Sequence, residues 1–257
     1  MESTVIAATS AIIGFVGKSL LDSFFKRREA SYEVSRKYSR PILFAAAELQ
    51  ARLWGLTQLQ ATTENPSLLR EDEDELFSST FSMTKRHYLT SIIYLFSRYF
   101  AYIEILKKEV QFVELKQVNT SKSFASLIKA AERALSESEL RELSKTPMKS
   151  DRQVFKLQQA YIGEKLILDR DGELYCMSFA EFYDKFTVFS NEVAFKDLID
   201  LLNRAVSKKP DDFCLSRCCL LVNSLVDLIN FLDPKCQYIS SSEREKVIVP
   251  GVNAHTW

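Results

Sequence analysis

Apolar side chains recur at three- and four-residue intervals along most of this chain, a period that builds helices rather than strands. The longest such pattern runs from Phe77 to Leu115 and carries Tyr88, Tyr94, Phe96, Tyr99, Phe100 and Tyr102. Its apolar centre, Ile92–Phe96, invites a membrane reading. Lys85, Arg86, Arg98 and Glu104 leave an uncharged window too short for one, so a central core helix is expected. Only six glycines and six prolines occur in 257 residues, which is too few turn-formers for an all-β fold. The expected fold is mainly α: a bundle-like helical body with a small β-hairpin near residues 166–177, preceded by an apolar helix.

The remaining elements follow from local signals. Ser39-Arg40-Pro41 punctuates the chain, and a helix is predicted from Pro41 to about Gln60, since proline suits a first helical turn. Thr62–Pro66 reads as a loop, and Glu71–Glu75 as a solvated helix start rather than a metal or basic-partner site. Ser121–Leu135 is amphipathic, and the polar stretch Ser136–Asp151, with Pro147, reads as a mobile linker. A helix over about Gln153–Ile167 precedes Asp169-Arg170-Asp171-Gly172, a turn joining short strands Leu166–Leu168 and Leu174–Met177. Ser178-Phe179-Ala180-Glu181 has the form of a capping box opening a helix through Phe186. Asn191–Ser207 and Phe213–Leu232 are the last predicted helices, the second closed by Asp233-Pro234. The organisation read from this is residues 1–40 as apolar helix and basic flank, 41–234 as helical body, and 235–257 as a loose tail.

The N-terminal stretch Val5–Phe25 is apolar and is followed at once by Lys26-Arg27-Arg28. A secretory signal has its basic residues before the apolar part, so cleavage is not expected. As a helix the stretch reaches roughly 31 Å, about the hydrocarbon thickness of a bilayer. Lys18 and Asp22 interrupt its second half and make insertion marginal. Three placements follow: spanning a bilayer, lying in its interface, or packing against protein. In the first two, Ile12, Ile13, Phe15, Val16, Leu20, Leu21, Phe24 and Phe25 contact lipid. Basic residues from Lys26 to Arg40 then keep the body on the cytoplasmic side.

Little in the chain suggests catalysis. The two histidines are His87, beside Lys85 and Arg86 and expected to be exposed, and His255 in the tail. Nucleotide, hydrolase and zinc-protease motifs are missing from the sequence. Five cysteines form an odd set (Cys176, Cys214, Cys218, Cys219 and Cys236) and read as buried, reduced thiols rather than zinc ligands. Asp169-x-Asp171-Gly172 fails the calcium-loop register, with glycine fourth rather than sixth. Glu104, Glu109 and Glu164 are the carboxylates considered for a metal site, but no Glu-x-x-His accompanies them. Lysine plus arginine equals aspartate plus glutamate at 34 each, which lacks the basic footprint of a nucleic-acid binder.

Several stretches resemble an uncharacterised bacterial family of hypothetical proteins. They are Arg40-Pro41-Ile42-Leu43, Ala46–Leu53, Tyr99–Phe112, Tyr161-Ile162-Gly163-Glu164 and Leu225–Pro234. Lys107 and Lys108 stand where an arginine pair is commoner in that family. The resemblance implies an apolar N-terminal segment followed by arginines and a helical body. It brings no activity and therefore no site residue. The expectation is a non-enzymatic interaction or regulatory module, without cofactor, tethered by the N-terminal helix to the cytoplasmic face of a membrane. Its protein partner is unspecified. The alternative is a soluble cytoplasmic adaptor whose N-terminal helix is buried in a homo-oligomer.

Overall fold

The computed structural model describes residues 37–57, 85–111, 120–144, 148–207 and 211–250. The apolar segment with its proposed lipid contacts (Ile12, Ile13, Phe15, Val16, Leu20, Leu21, Phe24 and Phe25) lies outside them. So do the basic flank Lys26, Arg27 and Arg28, the acidic run Glu71–Glu75, and His255. Among the described residues there are seven α-helices and one two-stranded sheet. They are α1 (37–57), α2 (Lys85–Gln111), α3 (Thr120–Ser136), α4 (Lys156–Lys165), β1 (Ile167–Arg170), β2 (Glu173–Cys176), α5 (Phe179–Phe189), α6 (Val193–Ser207) and α7 (Cys214–Leu232).

Local chemistry accounts for most of the boundaries. The α5 capping box forms as predicted: Ser178 Oγ accepts from the Glu181 N–H at 3.3 Å, and Glu181 Oε2 accepts from the Ser178 N–H at 2.9 Å. The hairpin pairs Ile167 with Cys176 and Arg170 with Glu173, so its first strand is longer than expected, its second begins one residue earlier, and only Asp171-Gly172 remains as loop. Both loop residues have positive φ, 55° and 83°, the conformation a two-residue hairpin turn requires. Asp169 Oδ1 accepts the Gly172 N–H at 2.9 Å and secures the turn. By contrast, the expected break at Ser39-Arg40-Pro41 is absent, because α1 runs unbroken from residue 37 through Pro41.

One continuous core unites these elements. α1 buries Tyr38, Ile42, Leu43, Ala46, Leu49, Leu53 and Leu56, a helical stripe that leaves Lys37, Arg40, Phe44, Glu48 and Ala51 outside. α2 is the central element, touching α4, α5, α6 and β2, while α7 packs on α3 and α6. Phe182 is completely buried and stacks among Phe186, Phe189 and Phe195, which fastens α5 to α6. Each such side chain contributes about 1.5–3 kcal/mol on burial.

Two of these helices have the length and apolarity of a membrane span: Leu89–Glu109 of α2 and all of α7, at mean hydropathies of 1.3 and 1.5. In α2 that stretch includes Arg98 and Glu104, so its uncharged part stays short, as expected. Both helices bury most of that surface against other parts of the body, which is the behaviour of core helices.

The segment after α7 departs from the expected loose tail. Asp233 accepts the N–H groups of Gln237, Tyr238 and Ile239, and Arg244 Nη2 donates to Asp233 at 2.6 Å. Farther on, Asn223 reads Val247 with both halves of its amide: Nδ2 donates to the carbonyl at 3.0 Å and Oδ1 accepts the N–H at 2.8 Å. Ser216 Oγ donates to the Pro250 carbonyl, and Lys246 pairs with Asp227. The chain is thus strapped along α7 through Pro250. The strap is hard to see in sequence because its anchors are polar residues spread over about three turns of α7.

Close approach of α2 and α4 depends on Gly163. A β-carbon there would meet the Phe100 carbonyl carbon at 2.7 Å and the Ala101 nitrogen at 2.9 Å, both backbone atoms that cannot turn aside. Alanine normally gains up to about 1 kcal/mol over glycine inside a helix. Here overpacking costs about 1–3 kcal/mol and outweighs it. Gly163→Ala is expected to lower the urea midpoint, and an unchanged or raised midpoint would show that the helices separate freely.

Candidate functional site

The strongest polar constellation is one that residue patterns did not mark. Arg217, on α7, is completely buried. Its Nε and Nη2 donate to the two oxygens of Asp151 at 2.7 and 2.6 Å, and the remaining donors reach the carbonyls of Ala134 at 3.0 Å and Glu137 at 2.9 Å. The guanidinium also lies 5.4 Å from the Phe213 ring centroid. Beside it, Asp212 accepts from Arg204 Nε at 2.8 Å, Ser150 Oγ at 3.0 Å and the Cys214 N–H at 3.0 Å. Partial burial pushes the Asp212 carboxyl up, but the bonds from Cys214, Arg204 and Ser150 prevail and hold it below the usual carboxylate range.

This cluster corrects the reading of Ser136–Asp151 as a mobile linker. Its described residues include the short helical turn Glu139–Leu143, with Leu140 buried, and a docked segment from Met148 onward. Lys149 and Ser150 donate their N–H groups to the Asp211 carbonyl, Phe213 donates to Ser150, and Val154 donates to Leu135. Chemically the cluster is spent. Each nitrogen of Arg217 is engaged, and Asp212 faces a cation and two hydrogen-bond donors. Burial, and then Asp212, push the Cys214 thiol far above its ordinary value, so it stays protonated beside that carboxylate.

Residues that the sequence offered for chemistry fall in separate places. His87 is half-buried rather than exposed, its ring edge-on to Phe179 at 5.5 Å and tilted on Tyr183 at 5.6 Å. Cys214, Cys218 and Cys219 are buried as expected, with burial pushing the Cys219 thiol to about 12. Cys236 is exposed and Cys176 half-buried, so the set shares no site. Glu104 pairs with Lys107, which also bridges to Glu132, and Glu164 pairs with Lys108. Among the described residues no group of three or more His, Cys, Asp or Glu side chains could hold a metal.

A second constellation surrounds the start of α1. Lys37 Nζ pairs with Glu173 Oε1 on the hairpin at 2.7 Å, and that contact raises the ammonium pKa. One turn on, the Arg40 guanidinium lies 5.1 Å from the Tyr238 ring centroid and donates to its hydroxyl at 2.7 Å. Phe44 meets the same ring edge-on at 6.0 Å. On the hairpin, Arg170 covers Tyr175 at 4.4 Å. Lys37, Arg40 and Arg170 lie at the surface, Phe44 and Tyr238 expose a large part of their area, and Tyr175 is half-buried.

Set against models of known families, curated proteins and solved structures, the chain matches none of them.

Two outcomes follow from the buried cluster. Asp151→Ala leaves Arg217 charged and unpaired in the core, a loss of about 3–5 kcal/mol. Asp151→Ala combined with Arg217→Met removes the stranded charge and is expected to recover at least half of the urea midpoint. The carboxylate of Asp212 has a lowered native pKa, so its contribution is complete above the unfolded value of about 3.9 and vanishes as pH falls through the native one. The difference in urea midpoint between wild type and Asp212→Asn should therefore be constant at neutral pH and close in acid. A difference that widens in acid would contradict this assignment.

Proposed function

We propose that this chain is a non-catalytic helical interaction module, held on the cytoplasmic face of a membrane by residues 5–25. One observation carries the reading. In the sequence the apolar stretch and its basic flank stand just before α1, whose inward stripe is locked into the core from Tyr38 onward. A tether this close in sequence to the first core helix keeps the whole body near the membrane. The lack of catalysis is supported by the side chains themselves. The strongest acid and base groups among the described residues are engaged with each other in structural pairs, and the thiols buried in α7 are held protonated.

Orientation rests on charge: Lys26, Arg27, Arg28, Arg36, Lys37 and Arg40 follow the apolar stretch, and basic residues are retained on the cytoplasmic side. The module's work is then to present its helical surface to a partner near the membrane. Fractionation with an alkaline carbonate wash tests the tether. Full-length chain should stay with the membrane pellet, and Val16→Asp with Leu20→Asp should release it, since each charge adds roughly 3 kcal/mol to insertion near a helix centre. Full-length chain recovered entirely in the soluble fraction would overturn the reading.

A further inference from the structure

We propose that one end of the body rests on anionic lipid headgroups: the end where the chain enters at Lys37, bearing Arg40, Phe44, Tyr238 and the Arg170–Tyr175 face of the hairpin. α1 then points away from the bilayer. The inference rests on the membrane tether proposed above and adds to it a contact surface and a lipid chemistry.

The length of chain before the body sets the first constraint. Residues 26–36 separate the apolar stretch from Lys37. They reach about 16 Å as a helix and about 40 Å fully extended. Lys37 therefore cannot leave the neighbourhood of the membrane surface. The side chains around it are those that an interface favours. Tyr238 and Phe44 combine apolar rings with large exposure, 46% and 38%, and tyrosine is enriched where an apolar surface meets water. Arg40 lies over Tyr238 and bonds its hydroxyl, which fixes an exposed guanidinium beside the ring. A guanidinium suits bidentate binding of phosphate.

Three acids of this end are engaged. Glu173 is paired with Lys37, and Asp169 is turned onto the Gly172 N–H. Glu181, which feels the charge of Arg170, is directed at the backbone and hydroxyl of Ser178. Asp171, at the exposed tip of the turn, and Glu109, beside Tyr38, remain as opposing charge. Against them stand Arg40 and Arg170, neither with a carboxylate at ion-pair distance among the described residues, in line with the basic stretch that precedes them. A guanidinium suits phosphate, and the tether supplies it as headgroups.

Tryptophan fluorescence of the full chain in vesicles tests the contact. With Trp54 and Trp257 replaced by Phe, one variant carries Tyr238→Trp at the proposed contact. Another carries Ala51→Trp, which is exposed on the same α1 stripe, about 16 Å beyond Arg40. Vesicles are phosphatidylcholine alone or with phosphatidylglycerol, each brominated near the headgroup end of the acyl chains. The expected result is quenching of Tyr238→Trp and not of Ala51→Trp. Arg40→Gln with Arg170→Gln should reduce the preference for anionic over neutral vesicles about tenfold. Binding in which neither or both reporters are quenched, or in which the arginine pair has no effect, overturns this inference and leaves the tether standing. A full chain that binds neither vesicle overturns the tether, and this contact with it.

Discussion

The body is organised around one buried cation. Arg217 has no exposure to solvent and sits in the first half of α7, so its charge must be answered from within the fold. The answer comes from three directions: the carboxylate of Asp151, the carbonyl of Ala134 in α3, and the carbonyl of Glu137 just beyond it. A single side chain therefore sets where α3 ends, where the segment before α4 docks, and how α7 lies against both. The desolvation of such a pair rivals its attraction, so its value lies less in net stability than in admitting one arrangement of three separate segments. The apolar core would tolerate several arrangements, whereas the guanidinium's directional donors tolerate few.

The same device recurs at the far end of α7. Asp233 gathers three successive backbone N–H groups and the guanidinium of Arg244, and so turns the chain back along the helix it has just left. Apolar periodicity decides which segments are helices. Buried carboxylate–arginine pairs decide how their ends are joined.

This division explains what was legible in the sequence. Long helices were, because α2, α6 and α7 repeat their apolar residues at the helical period over many turns. The Ser178–Glu181 cap and the Asp171-Gly172 turn were too, because each is settled by neighbours in the chain. Arg217 and Asp151 were not. They are sixty-six positions apart, and neither lies in a pattern that differs from a solvated surface residue. For the same reason Ser136–Asp151 resembled a linker, since its polar residues look idle until their distant partners are known. His87 was misplaced because its neighbours Lys85 and Arg86 suggest exposure, while the rings that cover it come from α5, two strands and two helices later. Of the surface around Lys37, the basic residues were legible and the tyrosines beneath Arg40 and Arg170 were not, because the strap and the hairpin supply them.

Asn223 bonds both the N–H and the carbonyl of one residue, Val247, as a neighbouring strand would. During synthesis this has a consequence of timing. α7, apolar enough to enter a bilayer, emerges before the segment that lies over it, and its strap-facing side stays bare until Val247 is made. A nascent chain that already holds its N-terminus at a membrane would carry that bare helix close to lipid for that interval. The order of elements thus makes the closing stretch a safeguard on the fate of the newborn chain as well as a part of the finished one.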